Sequence, residues 1–406
     1  MSVLADSSAQ REEGHVSAHA WSSSSLHGDS GTEAGGLTDD LLVEILSRVP
    51  AKSLCRFKCV SNHWLNLIGH PDHRKKLPQT LVGFFHSCSA KQWLLEAPIH
   101  FFHVSESRRR TSVSASFAFL PNDRRVDLLD SCNGLLLCRW YDVSTTRGDD
   151  FRYVVCNPAT EQWVVLPDRS IAGEVGRVCL GFDPAVSHHF HVFVLLQDDV
   201  CVITGVDVYS SKSRRWVHKD RRCEAIRLIH YWPATAFLNG CLHFHTVGSR
   251  WGHLLAAVDM EGETWTTFDY PAYLSGGCVQ RSQGHLHYAT FEEDGPAGNA
   301  DLRLVIYVME DYDRKEWTPK HSIRVSDIFG GIQVDNYSYF HCIAIHPDSN
   351  LIFFIRGGRR DVPVMCYNMD RREAKLILDL RNGRQPYVPY VPLYSELQSL
   401  QYVKSL

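Results

Sequence analysis

Three side chains that bind metals or carry protons lie close together on one predicted strand. Cys241, His243 and His245 alternate with apolar residues in the segment GCLHFHT. Residues that alternate along a strand point to one face of the sheet, so these three could contribute to a zinc site. However, His243 occupies the same place in NGCLHF as His287 occupies in QGHLHY. A histidine that recurs in the register of a repeat is more simply a packing residue, and we predict no metal site.

The sequence carries none of the short motifs that signal the commonest catalytic sites. The patterns GxxxxGK[ST], GxGxxG, HExxH and GxSxG do not occur, although each marks a particular phosphate, metal or nucleophile chemistry. Carboxylate pairs such as Asp149 with Asp150 and Glu292 with Glu293 fall in turn-like segments. Their setting gives no sign of a catalytic acid and base. We therefore predict no catalytic residue and no cofactor.

Paired arginines are the remaining residues with recognisable binding chemistry. They occur at Arg108–Arg110, Arg214–Arg215, Arg221–Arg222, Arg359–Arg360 and Arg371–Arg372. In a chain rich in strands, such pairs lie mostly on solvated turns, although guanidinium groups also bind acidic or phosphorylated partners. Acidic residues are interleaved with them and no aromatic and basic motif accompanies them, which argues against nucleic-acid binding.

The bulk composition fits a protein that works in the cytoplasm or the nucleus. The chain has 406 residues, a net charge of −4 and 13 cysteines without a CxxC pair. An odd number of scattered cysteines is typical of reduced thiols. We expect no signal peptide and no membrane interaction, because no apolar run approaches the roughly 18 residues that span a bilayer.

Three regions follow one another along the chain. Residues 1–36 are rich in Ser, Gly, Ala and His and bury too little apolar surface to fold, so we predict a disordered tail. Residues 37–77 have helical periodicity. From residue 80 to residue 406, short runs of Val, Ile, Phe, Tyr and Trp alternate with turn residues, which predicts strand after strand. The fold class is therefore mainly β with a small N-terminal α domain.

The helical periodicity of residues 37–77 predicts three short helices with more apolar residues than one core stripe needs, an excess that we call the apolar surplus. Leu42, Ile45 and Leu46 follow the spacing of one helical face. Pro50 ends this helix, and Ser61 caps the third. Leu41 and Val43 widen the apolar face beyond what one core stripe needs. A module of about 40 residues is marginal alone, so a partner protein or the rest of the chain must cover this surplus.

A repeat of about fifty residues organises the strand-rich region. Tryptophans follow polar turns at Trp163, Trp216, Trp265 and Trp317. A Gly or Asn turn with an alternating strand lies upstream in CNGLLLC, LNGCLHF, SQGHLHY and HPDSNLIFF. This period is that of a kelch-like propeller blade and predicts about six blades. The rival architecture is a pair of β-sandwiches. The tail PYVPYVPLYSELQSL could supply a strand that closes the first blade.

Residues 37–68, LTDDLLVEILSRVPAKSLCRFKCVSNHWLNLI, resemble an F-box. Together with LLDSCNGLLLC, NPATEQW and a PLYSE-type tail, the chain is similar to plant F-box proteins with a C-terminal F-box-associated domain. Two residues depart from the F-box pattern. Thr38 stands where the family usually has Pro, and Asn62 stands where it usually has a basic residue. We expect little effect from Thr38 and slightly weaker docking from Asn62.

This resemblance implies a non-catalytic subunit of an SCF-type cullin ubiquitin ligase. The F-box would dock to a Skp-type adaptor, and the β-domain would bind an unknown target protein. By motif position the adaptor-binding residues would be Leu37, Leu41, Leu42, Ile45, Leu46, Pro50, Leu54 and Trp64. The alternative function, from another class, is a small-molecule-binding protein or enzyme that acts through the central channel of the propeller.

Overall fold

The computed structural model describes most of the chain from residue 37 onwards. The described residues are 37–49, 51–70, 73, 76–77, 81–87, 99–104, 117, 119–120, 126–141, 151–169, 173–229, 234–248, 252–271, 277–294, 301–329, 339–357, 361–381 and 387–400. The chain divides into two units, residues 1–38 and 39–406. All helices and strands named below belong to the second unit, and the tail predicted over 1–36 lies outside the described residues.

Three short helices form the start of the second unit, as the sequence predicts. They are α1 (Asp39–Leu46), α2 (Ala51–Phe57) and α3 (Asn62–Gly69), which with the residues up to 77 we call the helical module. Ser61 caps α3, because its side-chain oxygen accepts a hydrogen bond from the backbone N–H of Trp64 at 3.2 Å. The apolar stripes meet in one small core formed by Val43, Leu46, Leu54, Leu67, Ile68 and Leu77. The prediction that Val43 belongs to the apolar surplus is therefore wrong, because its side chain is buried in this core.

The rest of the unit is built from antiparallel sheets, which we number as blades in chain order. Blade 1 begins with β1 (Gly83–Ser87) and β2 (Ile99–His103). Blade 2 contains β3 (Val126–Cys132), β4 (Leu135–Tyr141), β5 (Phe151–Asn157) and β6 (Gln162–Val165). Blade 3 contains β7 (Glu174–Gly181), β8 (His191–Gln197), β9 (Val202–Ser210) and β10 (Arg215–Leu228).

The second half of the chain supplies three further blades. Blade 4 contains β11 (Thr235–Leu238), β12 (Cys241–Gly248), β13 (His253–Asp259) and β14 (Trp265–Asp269). Blade 5 contains β15 (Cys278–Ser282), β16 (His285–Asp294), β17 (Asp301–Met309) and β18 (Thr318–Arg324), followed by the short helix α4 (Val325–Ile328). Blade 6 contains β19 (Tyr339–Ile345), β20 (Leu351–Gly357), β21 (Asp361–Asn368) and β22 (Glu373–Arg381). Finally come β23 (Tyr387–Tyr390) and a 3-10 turn, Gln398–Leu400.

The described strands thus form six blades, which confirms the prediction of a propeller of about six. Blades 3 and 4 are joined at one edge, because residues 226–228 at the end of β10 pair with residues 246–248 of β12. The first half of β12 pairs with β11 instead. Register shifts interrupt the pairing of β10 with β9 between Asp220 and Arg227, and the end of β10 then pairs both with β9 and with β12 of blade 4.

The tryptophan repeat marks the outer strand of successive blades. Trp163 and Trp216 are the second residues of β6 and β10. Trp265 begins β14, and Trp317 directly precedes β18. The indole N–H of Trp216 donates to the carbonyl oxygen of Pro167 at 2.7 Å, and that of Trp317 donates to the carbonyl oxygen of Asp269 at 3.0 Å. These two bonds cross from one blade to the end of the preceding blade. Contacts between blades therefore account for the tryptophans of blades 3 and 5.

The Gly and Asn turns of the repeat lie between the first and second strands of their blades. Asn133 and Gly134 both have positive φ, as do Asn239 and Gly240. Two consecutive residues with positive φ make the tight turn whose twist matches an antiparallel hairpin. The same turn carries Gln283 and Gly284 in blade 5, so this local signal fixes the register of three blades.

The C-terminal strand closes blade 1, as the sequence predicts. β23 pairs with β1, with Gly83 opposite Tyr390 and His86 opposite Tyr387. The sheet order of blade 1 is therefore β2-β1-β23. The innermost strands, β23, β3, β7, β11, β15 and β19, each contact the next, and β19 returns to β23. This ring is the arrangement of a propeller around a channel.

The hydrophobic core lies in the gaps between neighbouring blades. Side chains alternate across each strand, so Phe84 packs with blade 6 through Phe353, while Phe85 packs with blade 2 through Leu136 and Val154. An apolar cluster fills each of the six gaps, including those on both sides of blade 1. The described helices include none that is long and apolar enough to cross a membrane.

The chain beyond β23 runs across one face of blades 2 and 3. Buried Asn157 donates a side-chain hydrogen bond to the carbonyl oxygen of Leu393 at 2.7 Å, and the side-chain oxygen of Gln162 accepts from the N–H of Leu397 at 2.9 Å. Lys58 of the helical module donates to the hydroxyl of Ser395 at 2.7 Å. This segment therefore connects the helical module to the blades.

Candidate functional site

The first helix exposes two large apolar side chains on one face. Leu41 is 51% exposed and Ile45 is 49% exposed, and they lie four residues apart on α1, so they are neighbours on its surface. Singly exposed apolar residues are common, whereas adjacent ones on a small module indicate a contact surface. Both belong to the predicted adaptor-binding set.

Two further apolar residues of the helical module are exposed, and neither belongs to the predicted adaptor-binding set. Val60, just before α3, is 64% exposed and Leu65, within α3, is 45% exposed. Leu65 lies off the stripe made by Trp64, Leu67 and Ile68, and that mismatch is the signal by which the sequence could have identified it. We call Leu41, Ile45, Val60 and Leu65 the exposed apolar set.

Polar side chains flank the exposed apolar set. Asp39 on α1 and His63 on α3 approach to 3.1 Å, and Glu44 binds Arg48 one turn along the chain at 2.7 Å. All four side chains are more than half exposed. Such surface pairs contribute little to stability but help to orient a partner.

The other predicted docking residues occupy different environments. Leu46 and Leu54 are buried in the core of the module, and Leu42 and Trp64 pack partly against it. Leu37, in the first unit, is 49% exposed, and Pro50 lies outside the described residues. The structure thus brings Leu41 and Ile45 to the surface, while Leu46 and Leu54 hold the module together beneath them.

A cavity of about 1000 Å³ opens where the inner strands end on the face that carries the C-terminal segment. Its walls are the turns after β3, β11 and β15, and Leu77 and Leu81 line it from the side of the helical module. Arg281 and Asp183 form an ion pair in its wall at 2.5 Å. The cavity therefore combines apolar side chains with a few fixed polar groups, as small-molecule sites do.

The histidines of the repeat have structural partners. One ring nitrogen of His243 lies 3.1 Å from the carbonyl oxygen of Ala236 and the other lies 2.8 Å from the hydroxyl of Tyr312. His287 occupies the equivalent third position of β16, where its ring contacts Lys320 at 3.3 Å. Burial lowers the pKa of both imidazoles to about 4. Both histidines are therefore neutral packing residues at physiological pH.

The third residue of the suspected metal set faces a different neighbour. His245 lies 2.6 Å from the hydroxyl of Tyr270 and stacks on its ring. Burial, followed by the nearby charge of Arg177, lowers the pKa of His245 to about 3. Among the residues described, no three His, Cys, Asp or Glu side chains are grouped as metal ligands.

The arginine pairs occupy two kinds of position. Arg214 lies on the turn before β10, and Arg371 with Arg372 lie on the turn before β22, as expected. Arg221 and Arg222 lie within β10, where its register shifts. The prediction that this pair lies on a turn is therefore wrong. The pairs Arg108–Arg110 and Arg359–Arg360 lie outside the described residues.

Known families match both parts of the chain. A family model described as F-box domain matches residues 36–76, and one described as F-box associated beta propeller domain matches residues 85–378. Similar proteins come from Arabidopsis thaliana. "F-box protein At1g30790" is 31% identical and the match covers 74% of this chain and 78% of that protein. "F-box protein At5g07610" is 28% identical, with 70% of each chain covered.

These matches agree with the geometry of both regions. The F-box match coincides with the three helices that carry the exposed apolar set, and the longer match spans blades 1 to 6. "F-box protein DOR" of the same plant is 26% identical over 70% of this chain and 73% of its own. The chain belongs to the family of plant F-box proteins with an F-box-associated β-propeller domain.

Proposed function

We propose that this chain is the substrate-recognition subunit of an SCF-type cullin ubiquitin ligase. The helical module docks to a Skp-type adaptor, and the propeller holds the target protein. The observation that carries the proposal is the pair Leu41 and Ile45, half exposed on an F-box helix whose other apolar residues form the core. A subunit of this kind performs no chemistry itself and accelerates transfer by raising the effective concentration of the target.

The face of the propeller opposite the helical module is the place that we propose for the target. The C-terminal segment and the cavity-lining residues Leu77 and Leu81 occupy the face where the inner strands end. We place the target on the other face, because loops at the ends of strands are where binding specificity resides. Described cysteines such as Cys59, Cys138 and Cys278 are not joined in disulfides, which supports our assignment of this role to the cytoplasm or nucleus.

The docking surface is tested by placing charges on it. We expect Leu41→Asp combined with Ile45→Asp to weaken binding to a Skp-type adaptor at least about 100-fold, because buried charges replace two central apolar contacts. Affinity is measured by titration of the purified adaptor with the full chain. A thermal melt of the same sample shows whether the propeller stays folded.

A control variant separates a loss of docking from any general effect of placing a charge on an exposed leucine. Leu376 in β22 is 52% exposed, nearly the same as Leu41, and it lies on blade 6. Leu376→Asp should leave adaptor binding unchanged. Wild-type affinity in the Leu41 and Ile45 double variant would refute docking through this face of α1.

The cavity favours a second candidate function, the binding of a small molecule. Its polar and apolar lining supports this reading. Native mass spectrometry of the purified full chain would show a retained ligand as an added mass. Val186→Trp at the exposed rim should remove that mass, whereas a ligand-free wild-type protein would argue against this candidate.

A further inference from the structure

The cavity of about 1000 Å³ is the mouth of the central channel. Each blade contributes to its wall at or near the innermost strand, through Pro389 of blade 1, Cys132 of blade 2, Asp183 of blade 3, Thr235 of blade 4, Gln280 of blade 5 and Ile345 of blade 6. The volume lies at the upper end of the range of small-molecule sites. The wall therefore encloses room for a ligand of ordinary size at the axis of the ring.

An ion pair reaches across part of this mouth. Arg281, in β15 of blade 5, donates from Nη1 to Oδ2 of Asp183, which follows β7 of blade 3, at 2.5 Å. Because blade 4 lies between blades 3 and 5 in the ring, the pair must run along the channel side of blade 4. The other oxygen of Asp183 accepts from the backbone N–H of Ala185 at 3.0 Å. The pair is thus a fixed polar feature of the cavity wall.

Polar groups of the wall keep hydrogen-bonding capacity that the described residues do not fill. A guanidinium carries five N–H donors, and Arg281 uses only Nη1 on the ion pair. The side-chain oxygen of Gln280 accepts from the N–H of Ile345 at 2.6 Å, whereas its NH₂ group has no partner in the described part of the chain. Asn133 is the reverse case, because its NH₂ group donates to the carbonyl oxygen of Phe182 at 2.6 Å and its oxygen accepts no bond from those residues. Arg281, Gln280 and Asn133 are each partly exposed, so a ligand in the cavity can reach them.

The charges of the described lining are nearly balanced. The lining contains three carboxylates and two basic side chains, which are Asp183, Glu261 and Asp348 against Lys212 and Arg281. Burial and the neighbouring His189 lower the pKa of His191 to about 4, so this lining imidazole is neutral at physiological pH. An anion at the ion pair would meet Asp183 beside Arg281, and a cation would meet Arg281 beside Asp183. Charge therefore favours a neutral ligand.

The unfilled groups of the wall include both donors and an acceptor. Gln280 and Arg281 offer N–H donors, and Asn133 offers an oxygen. A carboxylate only accepts hydrogen bonds and an ammonium group only donates them, whereas a hydroxyl group does both. Apolar side chains complete the wall, among them Val186 at the rim and Met260. The lining therefore matches a compound that carries several hydroxyl groups beside an apolar part.

We propose that the channel mouth binds a neutral glycoside, whose sugar hydroxyl groups bond to Gln280, Arg281 and Asn133 while its apolar part contacts the rim. This inference rests on the second candidate function, the binding of a small molecule, and names its class of ligand. It does not depend on docking of the adaptor to the helical module.

Phenyl glycosides are the direct probes of this site. Phenyl β-glucoside and phenyl β-galactoside each join a neutral sugar to an apolar ring. We expect at least one of them to bind the full chain saturably with a Kd at or below about 1 mM in a ligand-observed NMR titration. The phenyl uronide of the same sugar carries a carboxylate in place of a hydroxymethyl group and should bind at least about 10-fold more weakly.

Two conservative variants test the assigned contacts. Gln280→Glu keeps an oxygen for the N–H of Ile345 but replaces the unfilled NH₂ group with an acceptor, and it should weaken glycoside binding about 5- to 10-fold. Arg281→Lys keeps a positive charge beside Asp183 but loses the planar fork, with a similar expected loss. Gln398 is exposed on the 3-10 turn and is not among the described lining residues, so Gln398→Glu should bind like the wild type. Thermal melts show that each variant is folded.

The outcomes separate this inference from the functions on which it builds. Absence of saturable binding of both glycosides to the folded wild type would overturn it. Equal affinities of the wild type, Gln280→Glu and Arg281→Lys, or tighter binding of the uronides, would overturn it as well. A retained ligand that native mass spectrometry detects and neither glycoside displaces would reject the glycoside class but leave small-molecule binding standing. Adaptor binding by Gln280→Glu should equal that of the wild type in every case.

Discussion

At the scale of single residues, three buried histidines link the stability of the propeller to pH. His243, His245 and His287 are each at most 2% exposed, and burial depresses the pKa of each to about 3 or 4. A depressed imidazole pKa means that the unfolded chain binds more protons than the folded chain between about pH 4 and 6.5. The stability that these residues provide is complete above pH 6.5 and is lost as the pH falls.

His243 allows this dependence to be measured. Burial lowers the pKa of His243 from 6.5 to about 4 in the folded chain. For this residue alone, the free energy of unfolding should therefore be roughly 2 kcal/mol smaller at about pH 5 than at neutral pH. His243→Asn should cost about 1–2 kcal/mol at neutral pH, because Tyr312 loses its partner. The deficit should shrink or reverse at about pH 5, as measured by urea denaturation.

An exposed histidine of the neighbouring blade serves as the comparison. His285 begins β16 and is exposed, so His285→Asn should leave the free energy of unfolding unchanged at both pH values. A deficit of His243→Asn that is equal at both pH values would contradict the assignment of a neutral buried imidazole.

Residue roles could be predicted from the sequence where they depend on local pattern. Ser61 was identified as a cap because the hydroxyl acts on an N–H three residues away. His243 was identified as a packing residue from its place in the repeat. Val60 was missed, since its exposure depends on which surfaces the distant segments of the chain leave uncovered.

At the scale of elements, local turn chemistry made the blades predictable. The turn at Asn239 and Gly240 and the tryptophan at Trp265 lie within one blade, so short sequence windows contain both signals. The path of the C-terminal segment could not be predicted, because its bonds to Asn157 and Gln162 span more than two hundred residues. Only the pairing of β23 with β1 was predicted.

Asn157 tests how strongly that segment is held. Asn157→Asp replaces a buried donor with a carboxylate that faces the carbonyl oxygen of Leu393, which should cost about 2–4 kcal/mol of unfolding free energy. Hydrogen exchange over residues 391–400 should accelerate at the same time. Asn66→Asp on the exposed side of α3 is the control, and equal losses in both variants would show that Asn157 does not anchor the segment.

At the scale of the whole molecule, the chain joins a helical module to a ring of six blades. The last strand closes the first blade, and the segment after it reaches Lys58 of the helical module. A target on the propeller would thereby be held in a defined position relative to an adaptor on α1. The family matches over residues 36–76 and 85–378 fit this division of labour.

The most direct test of this account measures whether the F-box region recruits the adaptor. The full chain and a version that begins at residue 80 are each immobilised and titrated with a purified Skp-type adaptor, and thermal melts show whether both are folded. We expect saturable binding by the full chain and none by a folded shorter version. Equal binding by both chains, or no binding by the full chain, would contradict the proposed role in a ubiquitin ligase.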